Sequence, residues 1–180
     1  MEFHRVVDMS DLDESNDGNY DTLLNGKLFS GVAFELCAAT GGVVSLLGFR
    51  NGRLHGPLRG WAPSGVIVEE KYYYLGGYHG PRRRWHEDGQ LAESCHSEYD
   101  VNWRTKRWGE DGRLLEEKHL VESDPRWRRI EEADARYANR IVDIDLSTLS
   151  FFERPKGWGR DESDLPPPPG PPSRALLPTK

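Results

Sequence analysis

The stretch "GYHGPRRRWHEDGQLAE", Gly77 to Glu93, holds two histidines, three consecutive arginines, a tryptophan and an acidic pair. Taken alone, it has the composition of an active site. Set beside the rest of the chain, it is one copy of a repeat. The phrase Trp, three residues, Gly, one residue, Ile or Leu, one residue, Glu occurs three times. The copies are Trp61-Gly65-Ile67-Glu69, Trp85-Gly89-Leu91-Glu93 and Trp108-Gly112-Leu114-Glu116. Their tryptophans and glycines advance by 24 and then 23 residues, and a worn fourth copy, Gly41 to Val43, precedes them by one period.

A second landmark keeps the same rhythm: "NGKLFSG" (Asn25–Gly31), "NGRLHG" (Asn51–Gly56) and "GGYHG" (Gly76–Gly80). Asn-Gly, Asp-Gly, Ser-Gly and Gly-Gly suit two-residue hairpin turns, which need positive φ and match the twist of the flanking strands. The segments between them are rich in Tyr, Trp, Val and Leu, as strands prefer. Each period therefore predicts two short antiparallel strands and two tight turns. A lone hairpin is only marginally stable, so the copies must stack into a continuous sheet. Gly31, Gly56 and Gly80 are expected where a side chain would obstruct that packing. The fold class is mainly β: a single-layer antiparallel sheet of hairpin repeats, a β-solenoid, capped by a C-terminal amphipathic helix.

On these residues the chain resembles the MORN-repeat family, in the variant form of bacterial antitoxin-like or immunity-like proteins. The match is carried by Gly52, Gly56, Trp61, Gly65 and Ile67 in one copy and by Gly76, Gly80, Trp85, Gly89 and Leu91 in the next. It spans residues 23 to 122 and departs at both ends, with Ala38 in place of Trp, and Trp103 and Arg104 in place of Gly. The resemblance implies a non-enzymatic module that binds a protein, a cognate toxin being one such partner, neutralised by occlusion. It also brings in lipid headgroup binding, proposed for some members.

Composition bounds these readings. In 180 residues the apolar share is 36% and the charged share 30%, which favours an extended sheet-rich body over a thick aliphatic core. The net charge of −6 argues against general affinity for nucleic acid or anionic membranes. No apolar run is long enough for a membrane span. The acidic start, "MEFHRVVDMSDLDE", is unlike a secretory signal, and Cys37 and Cys95 are too few for a disulfide scaffold, so a cytoplasmic setting is expected.

Outside the repeats, residues 1–22 form an acidic segment. Within it, Asp13-x-Ser15-x-Asp17-Gly18-x-x-Asp21 resembles the start of a calcium loop, but Leu24 stands where the bidentate Glu belongs. Residues 123–160 predict a helix opened by Asp124 and Pro125, with Trp127, Ile130, Ala133, Tyr137 and Ile141 at helical spacing, covering the last sheet edge. A short strand over Val142–Leu146 follows. Residues 161–180 carry "LPPPPGPPSRALLPTK" and predict an extended, mostly disordered tail, in which Pro169, Pro172 and Arg174 fit the pattern that SH3-type grooves read.

The candidate chemistry sorts by repeat slot. His55 and His79 occupy the slot that Ser30 fills in an earlier copy, so they read as turn-adjacent polar residues, and two histidines fall short of a zinc site. His86, Glu87 and Asp88 align with Ala62-Pro63-Ser64, an outer turn. No catalytic residue, metal or cofactor is assigned. The distinctive remainder is basic and aromatic: Arg82, Arg83, Arg84, Trp85, Trp103, Arg104, Arg107 and Trp108, with Lys106 beside them, the composition of interface hot spots. Glu69, Glu93 and Glu116 are expected to face these basic chains across strands. The enzymatic alternative places a site between sheet and helix, using Tyr72 to Tyr74, His79 and Glu131.

Overall fold

The computed structural model describes residues 5–137, 170–174 and 177, without the side chains of 134–137. The expected strand at 142–146 lies outside these residues, as do Ile141 and Pro169. The strands are β1 (Arg5–Asp8), β2 (Asp13–Glu14), β3 (Thr22–Leu24), β4 (Lys27–Leu28), β5 (Gly31–Leu36), β6 (Val43–Arg50), β7 (Arg53–Trp61), β8 (Ile67–Tyr74), β9 (Gly77–Trp85), β10 (Leu91–Glu98), β11 (Val101–Trp108) and β12 (Leu114–His119). A 3-10 turn covers Met9–Asp11, and one helix, α1, spans Pro125–Tyr137. Nine strands form one sheet in the order β1-β5-β6-β7-β8-β9-β10-β11-β12, and β2-β3-β4 form a small second sheet. Every pairing from β5 to β12 joins sequence neighbours antiparallel; only β1 runs parallel, against β5. This is the hairpin-repeat sheet that the periodicity implies.

The two turns of each period differ in kind. At the inner end, Asn25-Gly26, Asn51-Gly52, Leu75-Gly76 and Tyr99-Asp100 all have positive φ at both residues, as a two-residue primed turn requires. The fourth lacks glycine. There Asp100 compensates, since its carboxylate Oδ1 accepts from the Tyr78 N–H at 2.7 Å. These turns also lace the copies together: the N–H groups of Gly52, Gly76 and Asp100 donate to the carbonyls of Phe29, Leu54 and Tyr78 at 2.7, 2.8 and 3.0 Å.

The outer turns are not the two-residue type that the Ser-Gly and Asp-Gly pairs suggest. Gly65, Gly89 and Gly112 donate to the carbonyls of Ala62, His86 and Gly109, and the N–H of each of those residues donates to the carbonyl beyond the glycine. That pattern is a three-residue loop, a type I turn followed by a glycine at positive φ, which explains the four-residue Trp-to-Gly spacing. The inner glycines all have positive φ. A Cβ on Gly31 would lie 2.2 Å from the Arg5 carbonyl oxygen, the obstruction expected, and Gly56 and Gly80 adopt positive φ of 81° and 110°, which glycine takes without strain.

Both faces of the sheet are packed near its N-terminal end. On the first face Val32, Phe34, Val43, Leu46, Trp61, Ile67 and Trp85 form one buried cluster that includes Leu177. On the second, Phe29, Ala33, Leu47, Phe49 and Leu58 are buried, with Met9, Leu12 and Leu24 of the 3-10 turn and small sheet packed on them. Past Leu58 the second face turns polar. Helix α1 begins as expected, with the Asp124 carboxylate accepting from the Arg126 N–H at 2.9 Å. The Leu120 N–H donates to the Trp103 carbonyl at 2.7 Å, one step beyond the Arg104–His119 pair of the β11–β12 ladder, and α1 then packs against β11, burying Ile130. Strand β12 keeps Leu114 and Leu115 exposed.

Candidate functional site

The basic–aromatic block is not one surface. Side chains alternate along a strand, so Arg83 and Trp85 of β9 project to the first face and are buried at 3% and 8% exposure, while Arg82 and Arg84 project to the second. Of the eight residues singled out, Arg82, Arg84 and Arg107 share the second face. Trp103 meets the His96 ring at a tilt of 56°, centroids 4.8 Å apart, and Trp108 is half-buried, with its carbonyl at 3.1 Å from His86 Nε2. Arg104 is half-buried on β11, 4.0 Å from Glu117.

Arg83 has a specific role on the first face. Cross-strand register places Arg59, Glu70 and Arg83 side by side on β7, β8 and β9. Arg59 Nε donates to Glu70 Oε1 at 2.9 Å, and Arg83 donates to Oε2 through Nη2 at 2.6 Å and Nε at 3.1 Å. The three side chains are at most 3% exposed. Tyr72, buried at 1% exposure, brings its hydroxyl to 3.4 Å from the same carboxylate, and burial raises its pKa. Sequence inspection missed Glu70 and Arg59. The available signal was parity: in "VIVEEKYYY" one of two adjacent acids must fall on the tryptophan side of the sheet.

The second face of β8–β12 carries an alternating row. Glu69 pairs with Arg84, Arg84 with Glu93, Glu93 with Arg107 and Arg107 with Glu116. The ion pairs along it are Arg84–Glu93 at 3.5 Å, Arg107–Glu93 at 2.9 Å and Arg107–Glu116 at 3.3 Å, extended by Lys118–Glu116 and Lys71–Glu69. The three glutamates expected to face basic chains do so. Hydrogen bonding to Glu93 raises the Arg107 pKa, and Lys118 lowers that of Glu116. Beside the row, Arg82 stacks 4.2 Å above the Tyr78 ring, Tyr78 lies 4.8 Å from Tyr73, and Arg82 Nη1 donates to Asn102. Arg84 and Arg107 side chains are 64% and 54% exposed.

The histidines belong to the repeat. His55 Nδ1 accepts the Leu75 N–H at 3.2 Å, just as Ser30 Oγ accepts the Asn51 N–H at 2.8 Å. His55 and His79 are not direct neighbours, because the Tyr74 ring lies between them at 5.4 and 6.0 Å. Among the described residues no group of three or more His, Cys, Asp or Glu is placed to hold a metal ion. The calcium-like segment is committed elsewhere: Asp17 accepts from Ser15 and Asn19, and Asp21 pairs with Arg53 at 3.1 Å. The residues of the enzymatic alternative diverge, with Tyr72 buried, Tyr73 on the opposite face and Glu131 exposed. A cleft of about 500 Å³ opens elsewhere, floored by Leu47, Phe49 and Leu54 and rimmed by Tyr20, Asp21 and Arg53. No described helix is long and apolar enough to cross a membrane. Comparison with protein-family models, curated proteins and solved structures finds no match.

Proposed function

We propose that this chain is a non-enzymatic protein-binding module that meets its partner with the second face of β8–β12, and that the partner is a toxin which it occludes. One observation carries the reading. The half of the second face beyond Leu58 presents exposed Arg84 and Arg107 in a charge row beside the Tyr73–Tyr78–Arg82 stack. Arginine and tyrosine in contact are what interface hot spots are made of, and a flanking pattern of both charge signs sets register and rejects wrong partners. The toxin assignment rests on the MORN resemblance.

The test is affinity capture from the source cells with the natural chain and an Arg84→Glu/Arg107→Glu chain whose circular dichroism matches it. A partner held by this face is captured at least tenfold less by the doubly reversed chain. Equal capture by both chains, or no stable protein partner at any salt concentration, refutes the assignment.

A further inference from the structure

The described part of the tail has a seat on the sheet. Leu177 is 5% exposed within the first-face cluster, among Val32, Phe34, Leu46, Trp61 and Trp85. The Arg174 guanidinium lies 5.4 Å from the Phe34 ring centroid, within cation–π range. The two residues are locked together: the Leu177 N–H donates to the Arg174 carbonyl at 3.1 Å, and Arg174 Nη1 donates to the Leu177 carbonyl at 3.2 Å. A Cβ on Gly65 would stand 4.0 Å from Pro171 Cγ, so the proline ring passes close over the first outer turn. The arginine that fits the SH3-type pattern is thus engaged within the molecule.

We infer that the groove lined by Phe34, Trp61 and Trp85 is a binding site for proline-rich segments carrying Arg and Leu three residues apart, and that the chain's own tail is its exchangeable occupant. Three features fit this class of ligand. A buried leucine supplies the apolar anchor, an aromatic face receives the guanidinium, and a glycine turn admits proline. Proline fixes the backbone beforehand, so such a segment loses little conformational entropy on docking. Among the described residues, 170–174 and 177 form no strand with the sheet and reach it through side chains such as Arg174 and Leu177, an arrangement that permits exchange. Because the resident segment is tethered, it competes at high effective concentration, and a segment offered in trans must displace it.

The experiment uses the full chain with Leu177→Asp, which unseats the resident leucine, and a fluorescein-labelled peptide of sequence GPPSRALLPTK, residues 170–180. Saturable binding to the Leu177→Asp chain, at least tenfold tighter than to the natural chain, is expected, and a peptide with Asp at the position of Leu177 should not bind. Absence of peptide binding to the folded Leu177→Asp chain overturns the inference. If that chain does not fold, a Cys37→Ser/Leu177→Cys chain decides the matter through its thiol. Labelling at least tenfold slower than that of the same thiol in urea, and accelerated by excess peptide, supports an exchangeable seat. Labelling unaffected by the peptide overturns it.

Discussion

Replacing Glu70 by Gln tests how the first face is held together. The natural carboxylate accepts three charge-assisted bonds, from Arg59 at 2.9 Å and from Arg83 at 2.6 and 3.1 Å, in a site with essentially no solvent exposure. Gln keeps one carbonyl acceptor for one guanidinium and turns an amide donor toward the other. Two buried cations then lose the anion that they share. Breaking a buried ion pair from one side costs about 3–5 kcal/mol, a large fraction of the roughly 5–15 kcal/mol that stabilises a typical domain. With 2–4 °C lost per kcal/mol in a chain of this size, the melting temperature should fall by roughly 10 °C. Urea titration followed by tryptophan fluorescence should show a lower midpoint at unchanged slope, because the change lies in the native state and not in the surface exposed on unfolding. An Arg59→Met/Glu70→Leu/Arg83→Met chain makes the counter-test. Removing all three charges removes their desolvation, so this chain should equal or exceed the natural one. A folded Glu70→Gln chain that loses less than about 1 kcal/mol refutes the reasoning.

Two further outcomes follow from the inner turns. Burial, then the nearby Arg50 charge, pushes the His55 pKa down to about 4. The unfolded chain binds this proton near pH 6.5 and the folded chain does not until pH 4, so stability is full above 6.5 and falls as pH drops through that window. By pH 5 the loss from this group is about 2 kcal/mol. In His55→Ser, with the hydroxyl that serves the same slot at Ser30, this part of the difference between urea midpoints at pH 7 and pH 5 should vanish; an unchanged difference counts against it. Leu75 is 41% exposed and sits at φ 48°, where the equivalent turns have Asn25 and Asn51. Leu75→Asn should stabilise by about 1 kcal/mol, read as a rise in melting temperature, because asparagine tolerates the left-handed region that a bulky side chain resists. A fall in melting temperature would show that leucine packing outweighs the backbone term.

The sheet was legible because its punctuation repeats: the Trp-to-Gly phrase sets the outer turns and Asn-Gly the inner ones. What spacing could not give was the kind of outer turn, since Asp-Gly closes a two-residue loop or ends a three-residue one with the same letters. The turn at Tyr99-Asp100 carries no glycine, and only its place one period after Leu75-Gly76 identifies it. The helix was legible from Asp124 and Pro125, but its docking against β11 was not, because the tertiary packing that buries Ile130, and not helical spacing, sets which strand α1 meets. At the candidate site, the three glutamates were placed correctly through their matching slots, whereas Arg82, Arg83 and Arg84 were read as one block. A strand cannot present three consecutive side chains together. The seat of Leu177 had no local signal, since a leucine after a proline run looks the same docked or free.

The repeat phrase also explains why the second face is a charge row. Antiparallel pairing sets the residue before each Trp against the Glu that ends the phrase, first within a copy and then across to the next. In the second and third copies that residue is Arg84 and Arg107, so the row alternates in sign from Glu69 to Glu116. In the first copy it is Gly60, where a Cβ would meet Glu69 Cγ at 2.9 Å, so the glutamate lies over the glycine. One substitution in the motif thus marks where the packed part of the face, ending at Leu58, gives way to the charged part. The energetic consequence bears on function. Exposed ion pairs contribute at most about 1 kcal/mol each, so the row adds little to stability and neutralising Arg84 and Arg107 should leave the fold intact, whereas reversing them adds like-charge repulsion against Glu69, Glu93 and Glu116 that the circular dichroism control must check. A partner approaching this face exchanges weak internal pairs for its own, at small cost per pair. Arg84 and Arg107, which stabilise the fold so little, are therefore better tested by binding than by melting.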